Sequence, residues 1–421
     1  MKKYDSYKDS GIEWIGKIPS HWIMQRIDWV SKIVRGNTAF KKDELLDAGE
    51  YIALQYGKTY KVDVVDDSFN FYVNSEFFNE SQVTTKGDTI LISTSETVED
   101  LGHTCFYNNQ NVGLLGGEQI LLKPNRKFLH EKYLYHYSRQ FGSELRRYAR
   151  GLKVFRFNTS DLKQLFIAIP TLEEQTAIAN FLDHKTSQID HLIAKKEQFI
   201  KLLEEERVAV INQAVTKGLD ANVPMKDSGV EWLGEIPEHW EVKRIKYIAN
   251  LKSGNNIVSE QITSEGIYPV YGGNGLRGYF SEYTNDGNFV LIGRQGALCG
   301  NINFATNKFW ASEHAVVCYL EPNNNWLWFG KLLETMNLNQ YNQSAAQPGL
   351  AVGIIKNLFI PYSNYDEQNK IIDYVNDYEI RTNNVIQKAI TEIELLKEYK
   401  TALISEVVTG KVDVSTSSTQ V

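Results

Sequence analysis

No stretch of this 421-residue chain approaches the roughly 18–20 consecutive apolar residues of a bilayer-spanning helix. The basic start, Met1-Lys2-Lys3-Tyr4-Asp5, leads into no apolar core, so a signal peptide is not expected. Cysteine is scarce. Cys105, Cys299 and Cys318 are odd in number, far apart and without C-x-x-C spacing, which speaks against a disulfide framework or a zinc knot. A reducing, cytoplasmic setting is expected. Catalytic signatures are missing as well. Gly57-Lys58-Thr59 resembles the end of a phosphate loop, but the required earlier glycine is Ile52. His314 and Cys318 have i, i+4 spacing without further ligands nearby, and a packed pair is the simpler reading. Ser93-Thr94-Ser95-Glu96 has no recognisable base or nucleophile elbow. Neither an Asn/Asp-Pro-Pro-aromatic run nor a nuclease-type carboxylate cluster occurs. Such a chain reads more readily than it reacts.

What is present is repetition. Lys8-Asp9-Ser10-Gly11-Ile12-Glu13-Trp14-Ile15-Gly16-Lys17-Ile18-Pro19-Ser20-His21-Trp22 returns from Lys226 to Trp240, with 11 of 15 positions identical at an offset of 218. A second phrase, Glu174-Gln175, returns as Glu367-Gln368 at an offset of 193, each opening a long helical run. The offsets differ by 25, so a duplicated frame surrounds inserts of unequal length. Hydrophobic content of 42% and charged content of 23% suit a globular protein with real cores, and the length suggests about three domains.

The helical runs cover about 172–217 and 366–409, closed by Gly218 and Gly410. Apolar residues pair at the 193 offset: Leu192 with Val385, Ile193 with Ile386, Ile200 with Ile393, Leu203 with Leu396, Val210 with Leu403. Their spacing in threes, fours and sevens predicts a coiled-coil stripe. At about 1.5 Å per residue each helix is roughly 60 Å long, and packing the two together is the simplest way to cover both stripes. An antiparallel pair would place the globular units at opposite ends of a rod. The predicted fold is α+β: mixed units at 1–170 and 219–361, long helices at 171–218 and 362–412 forming an antiparallel coiled coil, a pseudo-twofold internal repeat and a polar, disordered tail at 413–421. Short β-type runs such as Thr89–Ile92, Gln119–Leu122, Phe289–Ile292 and Ala315–Val317 fall between Gly and Asn turns.

The formal net charge is −7, yet between Lys123 and Lys163 eleven cations face three carboxylates, a local balance of +8. Tyr133, Tyr135, Tyr137, Tyr148, Phe155 and Phe157 are interleaved with them, a footprint for a polyanion. The bland alternative is a solvated helix face over an aromatic core. The second insert is slightly acidic, and its polarity comes from Asn, Gln, Gly and Tyr, as in Tyr271-Gly272-Gly273-Asn274-Gly275-Leu276-Arg277. Asn and Gln suit adenine edges and Arg suits guanine. Ordinary turn chemistry is the alternative for any single residue.

These phrases resemble specificity subunits of type I restriction-modification systems. The Asp-Ser-Gly-x-Glu-Trp opening at 9–22 and 227–240 carries the likeness. So do Gly272-Gly273-Asn274-Gly275, Ile292-Gly293-Arg294-Gln295-Gly296-Ala297, Gln347-Pro348-Gly349-Leu350-Ala351-Val352 and the two Glu-Gln helix starts. Phe157 to Pro170 is the first-half counterpart of the closing phrase, although Gly151-Leu152-Lys153-Val154-Phe155-Arg156 replaces a clear Gln-Pro motif. The resemblance implies two target recognition domains, each reading half of a bipartite, asymmetric site in double-stranded DNA, and a helical ruler that docks two modification subunits. S-adenosylmethionine, ATP and Mg²⁺ would belong to the modification and restriction partners, with no catalytic residue, metal or cofactor in this chain and no membrane partner. Arg146, Arg147 and Arg150 are candidates for phosphate contact. Lys153, Arg156, Asn274, Arg277, Arg294, Gln295 and Gln347 are candidates for base readout. A two-module lectin-like scaffold and a stand-alone nuclease with an unrecognised site remain the competing readings.

Overall fold

The computed structural model describes residues 2–37, 40–296, 299–342 and 349–414. It forms two compact units: Met1–Lys195 with Glu392–Val421, and Lys196–Thr391. The helices Leu172–Lys217 and Tyr365–Val408 are continuous, and both unit boundaries fall inside them. Each unit therefore contains part of each helix.

In the first unit one sheet has the spatial order Ser31–Arg35, Gln119–Pro124, Thr89–Ile92, Thr104–Tyr107, Val64–Val65. The other has the order Tyr72–Val73, Tyr51–Leu54, Gly113–Leu115, Val83–Thr84. Side-chain alternation sends Ile52, Leu54 and Leu115 of the second sheet and Ile90, Cys105 and Leu121 of the first into one shared core. The helix Glu131–Arg146 packs on strands Thr104–Tyr107 and Thr89–Ile92, and Tyr133, Tyr137 and Phe141, spaced by four, are fully buried.

The second unit uses the same connectivity. Its sheets run Ala249–Ser253, Ala315–Leu320, Phe289–Gly293, Ile302–Ala305 and Gly275–Phe280, Tyr268–Gly272, Lys308–Ala311, Asn285–Asp286. The parallel pair Tyr51–Leu54 with Gly113–Leu115 reappears as Tyr268–Gly272 with Lys308–Ala311. Leu291, Ala311 and Val317 occupy the core places of Ile90, Leu115 and Leu121. The first unit adds the edge strand Val64–Val65.

The repeated phrases hold each other. Each opening phrase is a hairpin, Tyr7–Asp9 with Lys17–Pro19 and Met225–Asp227 with Glu235–Pro237. Its turn starts with Asp9 or Asp227 accepting from the Gly11 or Gly229 amide at 2.8 or 2.9 Å. Both glycines have positive φ, 75° and 67°, which excludes most side chains. Buried Trp22 donates to Glu174 at 3.0 Å, and His21 lies 3.0 Å from the same carboxylate. Gln175 accepts from the His130 amide at 2.8 Å and donates to the Pro170 carbonyl at 3.0 Å. Gln368 does the same for the Asn325 amide and the Ser363 carbonyl, at 2.8 and 2.9 Å. Glu-Gln is thus a clamp between helix, hairpin and the smaller helix of its own unit.

The long helices pair antiparallel: Asp190 meets Lys400 in the first unit, and Arg207 meets Asn383 in the second, so the partner number falls as the helix number rises. The seam on the central helix passes through Leu182, Thr186, Ile189, Ile193, Ile200, Leu203, Arg207, Val210 and Ala214, all buried or half-buried. The C-terminal helix uses Val375, Thr382, Ile386, Ala389, Ile393, Leu396, Lys400, Leu403 and Val407. Leu192 and Val385, expected on the seam, are not there; they are 43% and 42% exposed. Each stands one residue before a seam position, and at 3.6 residues per turn that rotates it by about 100° onto the flank. Polar seam members such as Thr186, Arg207 and Lys400 escape a search for apolar residues.

Candidate nucleic-acid interface

The basic segment of the first unit narrows on folding. Lys123 binds Asp88 at 3.0 Å, Arg126 binds Glu131 at 3.1 Å, Arg139 binds Asp63 at 2.6 Å, and Lys132 pairs with Asp183. Burial works against the Asp63 carboxylate, but Arg139, Lys400 and His103 outweigh it and hold it below the usual range. Most of the interleaved aromatics belong to the core: Tyr133, Tyr135, Tyr137 and Phe157 are buried. The expected continuous footprint is therefore interrupted, because Lys123, Lys132 and Arg139 are taken up by structural ion pairs.

The turn after the helix stays exposed, as do Arg126 and Lys127 before it. Arg150 and Arg156 exchange both backbone hydrogen bonds at 3.0 Å and close a loop that carries Lys153, with Leu152 98% exposed at its tip. Phe155–Arg156 pairs with Thr94–Ser95, so the loop is fastened to the end of strand Thr89–Ile92. Arg150 reaches Asp161 at 3.3 Å and Arg147 reaches Glu144 at 3.2 Å, while both side chains remain about two-thirds exposed, at 65% and 64%. Arg146 donates to the Glu99 carbonyl and so anchors the neighbouring loop. The structure brings Arg150, Lys153 and Arg156 together.

Beside this loop a cleft of about 390 Å³ is lined by Phe40, Gln55, Tyr56, Gly57, Gly116, Gly117 and Glu118. Gln55 donates to the Phe40 carbonyl at 3.0 Å. Tyr56 stacks on Tyr60 with ring centroids 5.6 Å apart, and burial raises the Tyr56 hydroxyl pKa. None of these residues stands out in the sequence. The only signal available there was the failed Gly57-Lys58-Thr59 motif.

The second unit builds the corresponding place from the residues singled out in the sequence. The amide of Arg294 donates to the His314 carbonyl at 3.0 Å, as Ser93 donates to Glu118 in the first unit at 3.0 Å. The amide of Leu350 donates to Arg294 at 2.9 Å, as Phe157 donates to Ser93 at 3.1 Å. Gln295 bridges to Gly349 as Thr94 pairs with Arg156. A Cβ on Gly273 would lie 3.1 Å from the Gln295 carbonyl and 3.2 Å from that of His314, so this glycine permits the closure. Arg294 donates to Ser253 at 2.9 Å, Asn274 accepts from Asn301 at 3.1 Å, and His314 lies 3.1 Å from Glu313. Arg277 lies over Gly272. Gln347 falls outside the described residues.

Four buried polar atoms around this place have no hydrogen-bond partner: Arg294 Nε, Asn303 Nδ2, Ser312 Oγ and Glu313 Oε2. Unpaired buried groups are costly, about 1–3 kcal/mol each, and a native fold keeps few of them. Other such atoms among the described residues, Thr89 Oγ1, His136 Nδ1 and Trp240 Nε1 among them, lie elsewhere in the fold. Among the described residues no group of three or more His, Cys, Asp or Glu side chains could hold a metal ion, and no helix is long and apolar enough to cross a membrane.

Two α+β units with equal connectivity, each containing part of both long helices and carrying different polar residues at the matching place, define a modular recognition protein. The model of the type I restriction modification DNA specificity domain matches residues 19–202 and 237–395, and the chain belongs to this family. It is 43% identical over 145 residues to the type I restriction enzyme EcoprrI specificity subunit of Escherichia coli, covering 34% of this chain and 35% of that protein. It is 27% identical over 232 residues to the putative type I restriction enzyme MjaX specificity subunit of Methanocaldococcus jannaschii, covering 54% and 52%. The matched regions thus span about a third to a half of these relatives' length. Among solved structures, a chain from work on complex assembly and conformational transition of the type I R-M system aligns over 94% of this chain and 99% of its own at a TM-score of 0.71 and 15% identity. The HsdS subunit from Thermoanaerobacter tengcongensis aligns over 94% and 98% at a TM-score of 0.53 and 16% identity. These two likenesses concern the fold.

Proposed function

We propose that this chain is the DNA-reading, non-catalytic specificity subunit of a type I restriction-modification complex in the cytoplasm. Each unit reads one half of a bipartite, asymmetric site in double-stranded DNA. The observation that carries this reading is a single strand framework built twice, with different polar residues at the matching bonded positions. Ser93 and Arg294 occupy the same bonded position, yet only Arg294 can pair bidentately with guanine. A frame retained while its lining changes is what two different half-sites require.

The exposed flanks of the helices supply docking surface. Leu192, Leu202, Val385 and Leu395 form pairs at the 193 offset, and all are more than 40% exposed. Apolar side chains at matching places on both helices suit two copies of one modification subunit. S-adenosylmethionine would be held by those subunits, ATP and Mg²⁺ by restriction subunits, and the paired helices would set the spacer between half-sites.

The test is the modified motif. The chain is co-expressed with its modification subunits in a methylation-free host, and modified bases are mapped by sequencing. A two-part motif is expected, and exchanging residues 241–361 for another such domain should change one half only. Plasmid cleavage by the purified chain with Mg²⁺ alone, or change of both halves after the exchange, would overturn the reading.

A further inference from the structure

We infer that Glu118 is a specificity-determining residue of the first unit, its carboxylate accepting a hydrogen bond from the exocyclic amino group of a base in the major groove. The inference rests on the DNA-reading function above and extends it to a side chain that nothing in the sequence singled out.

Conformation provides the first observation. Four described non-glycine residues have positive φ: Glu118 at 64°, Asn307, Asn323 and Asn337. Asparagine tolerates this region because its short side chain bonds locally, whereas glutamate pays the steric cost without that return. Strained residues of this kind concentrate at functional sites. The backbone here is fixed from outside, since the Glu118 carbonyl accepts from the Ser93 amide at 3.0 Å. Glu118 lines the cleft that Gln55 and Tyr56 also line.

Chemistry provides the second. The Glu118 side chain is exposed and makes no ion pair or hydrogen bond among the described residues. The loop fastened to the same strand end carries Arg150, Lys153 and Arg156, a surface suited to a polyanion. A lone carboxylate beside a polyanion is repelled unless a donor meets it. Of the groups that duplex DNA presents in the major groove, only cytosine N4 and adenine N6 are donors. Tyr56 lines the same cleft and brings a hydroxyl to it.

Position provides the third. The residue whose carbonyl receives the equivalent amide in the second unit is His314, beside Arg294 and the unpaired Glu313 Oε2. The two units thus place different hydrogen-bonding side chains at one framework position, as a reading position requires.

The experiment uses the full chain with its modification subunits and maps the modified motif for wild type, Glu118→Gln and Glu118→Gly. Glycine suits the positive φ, so Glu118→Gly removes the carboxylate without threatening the fold, and its thermal melting should match or exceed wild type. Both variants are expected to lose discrimination at one base pair of one half-site, by about tenfold or more, with the other half-site unchanged. A wild-type motif retained at every position by Glu118→Gly would overturn the inference. So would a uniform loss across sequences. Either result leaves the DNA-reading function standing. A wild-type complex with no sequence motif would remove that function and this inference together.

Discussion

The Nζ of Lys400 lies 2.7 and 2.8 Å from the two carboxylate oxygens of Asp190, 210 residues earlier in the chain. Adding 193 to 190 gives Asn383, and subtracting 193 from 400 gives Arg207. Those two also bond each other, Arg207 NH1 to Asn383 Oδ1 at 3.0 Å. One cation-acceptor contact thus occurs twice, with a carboxylate in the first unit and an amide in the second.

This difference predicts that Asn383→Asp completes a second ion pair. The gain should be about 0.5–1 kcal/mol at low salt, in the range of partly exposed pairs, and should fade in molar salt. A double-mutant cycle with Arg207→Met, followed by urea denaturation, measures it. No coupling between the two positions would show that the contact is incidental.

Glu174 and Glu367 should differ in the opposite sense. The Glu174 side chain is 9% exposed and accepts from Trp22 as well as facing His21. The Glu367 side chain is 25% exposed and faces His239 at 3.1 Å, while the Trp240 Nε1 is buried without a partner. Glu174→Ala should cost about 2–3 kcal/mol, because it strands a buried indole donor, and Glu367→Ala about 1 kcal/mol. Equal losses in thermal unfolding would contradict the assigned roles.

The frame was legible in the sequence because its physics is local and repeated. The Asp-Ser-Gly turns, the Glu-Gln clamps and both helix spans follow from spacing and residue type. The seam was only partly legible: an apolar stripe shows Ile193 and Ile393 but hides Arg207 and Lys400, and it misplaced Leu192 and Val385 by a single residue. The corresponding place in the second unit showed through because Gly-Gly-Asn-Gly and Arg294-Gln295 are unusual strings. The first cleft did not. Gln55, Tyr56 and Glu118 are ordinary residues more than 60 positions apart at their extremes, and they meet only because a parallel strand pair joins Leu54 to Leu115. The charge run misled in part, since sequence cannot show that Asp63, Asp88 and Asp183 return to neutralise it.

Acid should weaken the first unit in two steps. Burial holds His136 below its usual value of 6.5, although Asp183 at 2.8 Å opposes this. Burial works against Asp183, but hydrogen bonds from His136 and Lys132 outweigh it and leave the carboxylate below its usual 3.8. In both cases the unfolded chain binds more protons, so stability rises with pH. The His136 contribution is present above 6.5 and is lost as pH falls through its lowered folded value; the Asp183 and Asp63 contributions follow below 3.8. Melting temperature against pH should show the first loss in wild type and a flatter curve in His136→Asn. An unchanged curve in that variant would remove His136 as its source.

The exposed loop makes a quantitative demand on salt dependence. If Arg147 and Arg150 each contact a phosphate, and Lys153 does so in place of the base contact expected of it from the sequence, removing one releases one fewer counterion, and the slope of log K against log salt should flatten by about 0.9 per residue. Glutamine is the suitable replacement. Charge reversal at Arg150 would set a second carboxylate against buried Asp161, which also accepts from the Asn158 amide at 2.8 Å. Arg147→Gln, Arg150→Gln and Lys153→Gln should weaken binding to specific and non-specific duplexes alike, because phosphate contacts carry no sequence information. Arg146→Gln should behave differently: its bond to the Glu99 carbonyl is internal, so melting temperature should fall with little change of slope. Duplex titrations across a salt series, alongside thermal melts, separate the two kinds of residue. A slope unmoved by all three replacements would place the polyanion elsewhere on the first unit.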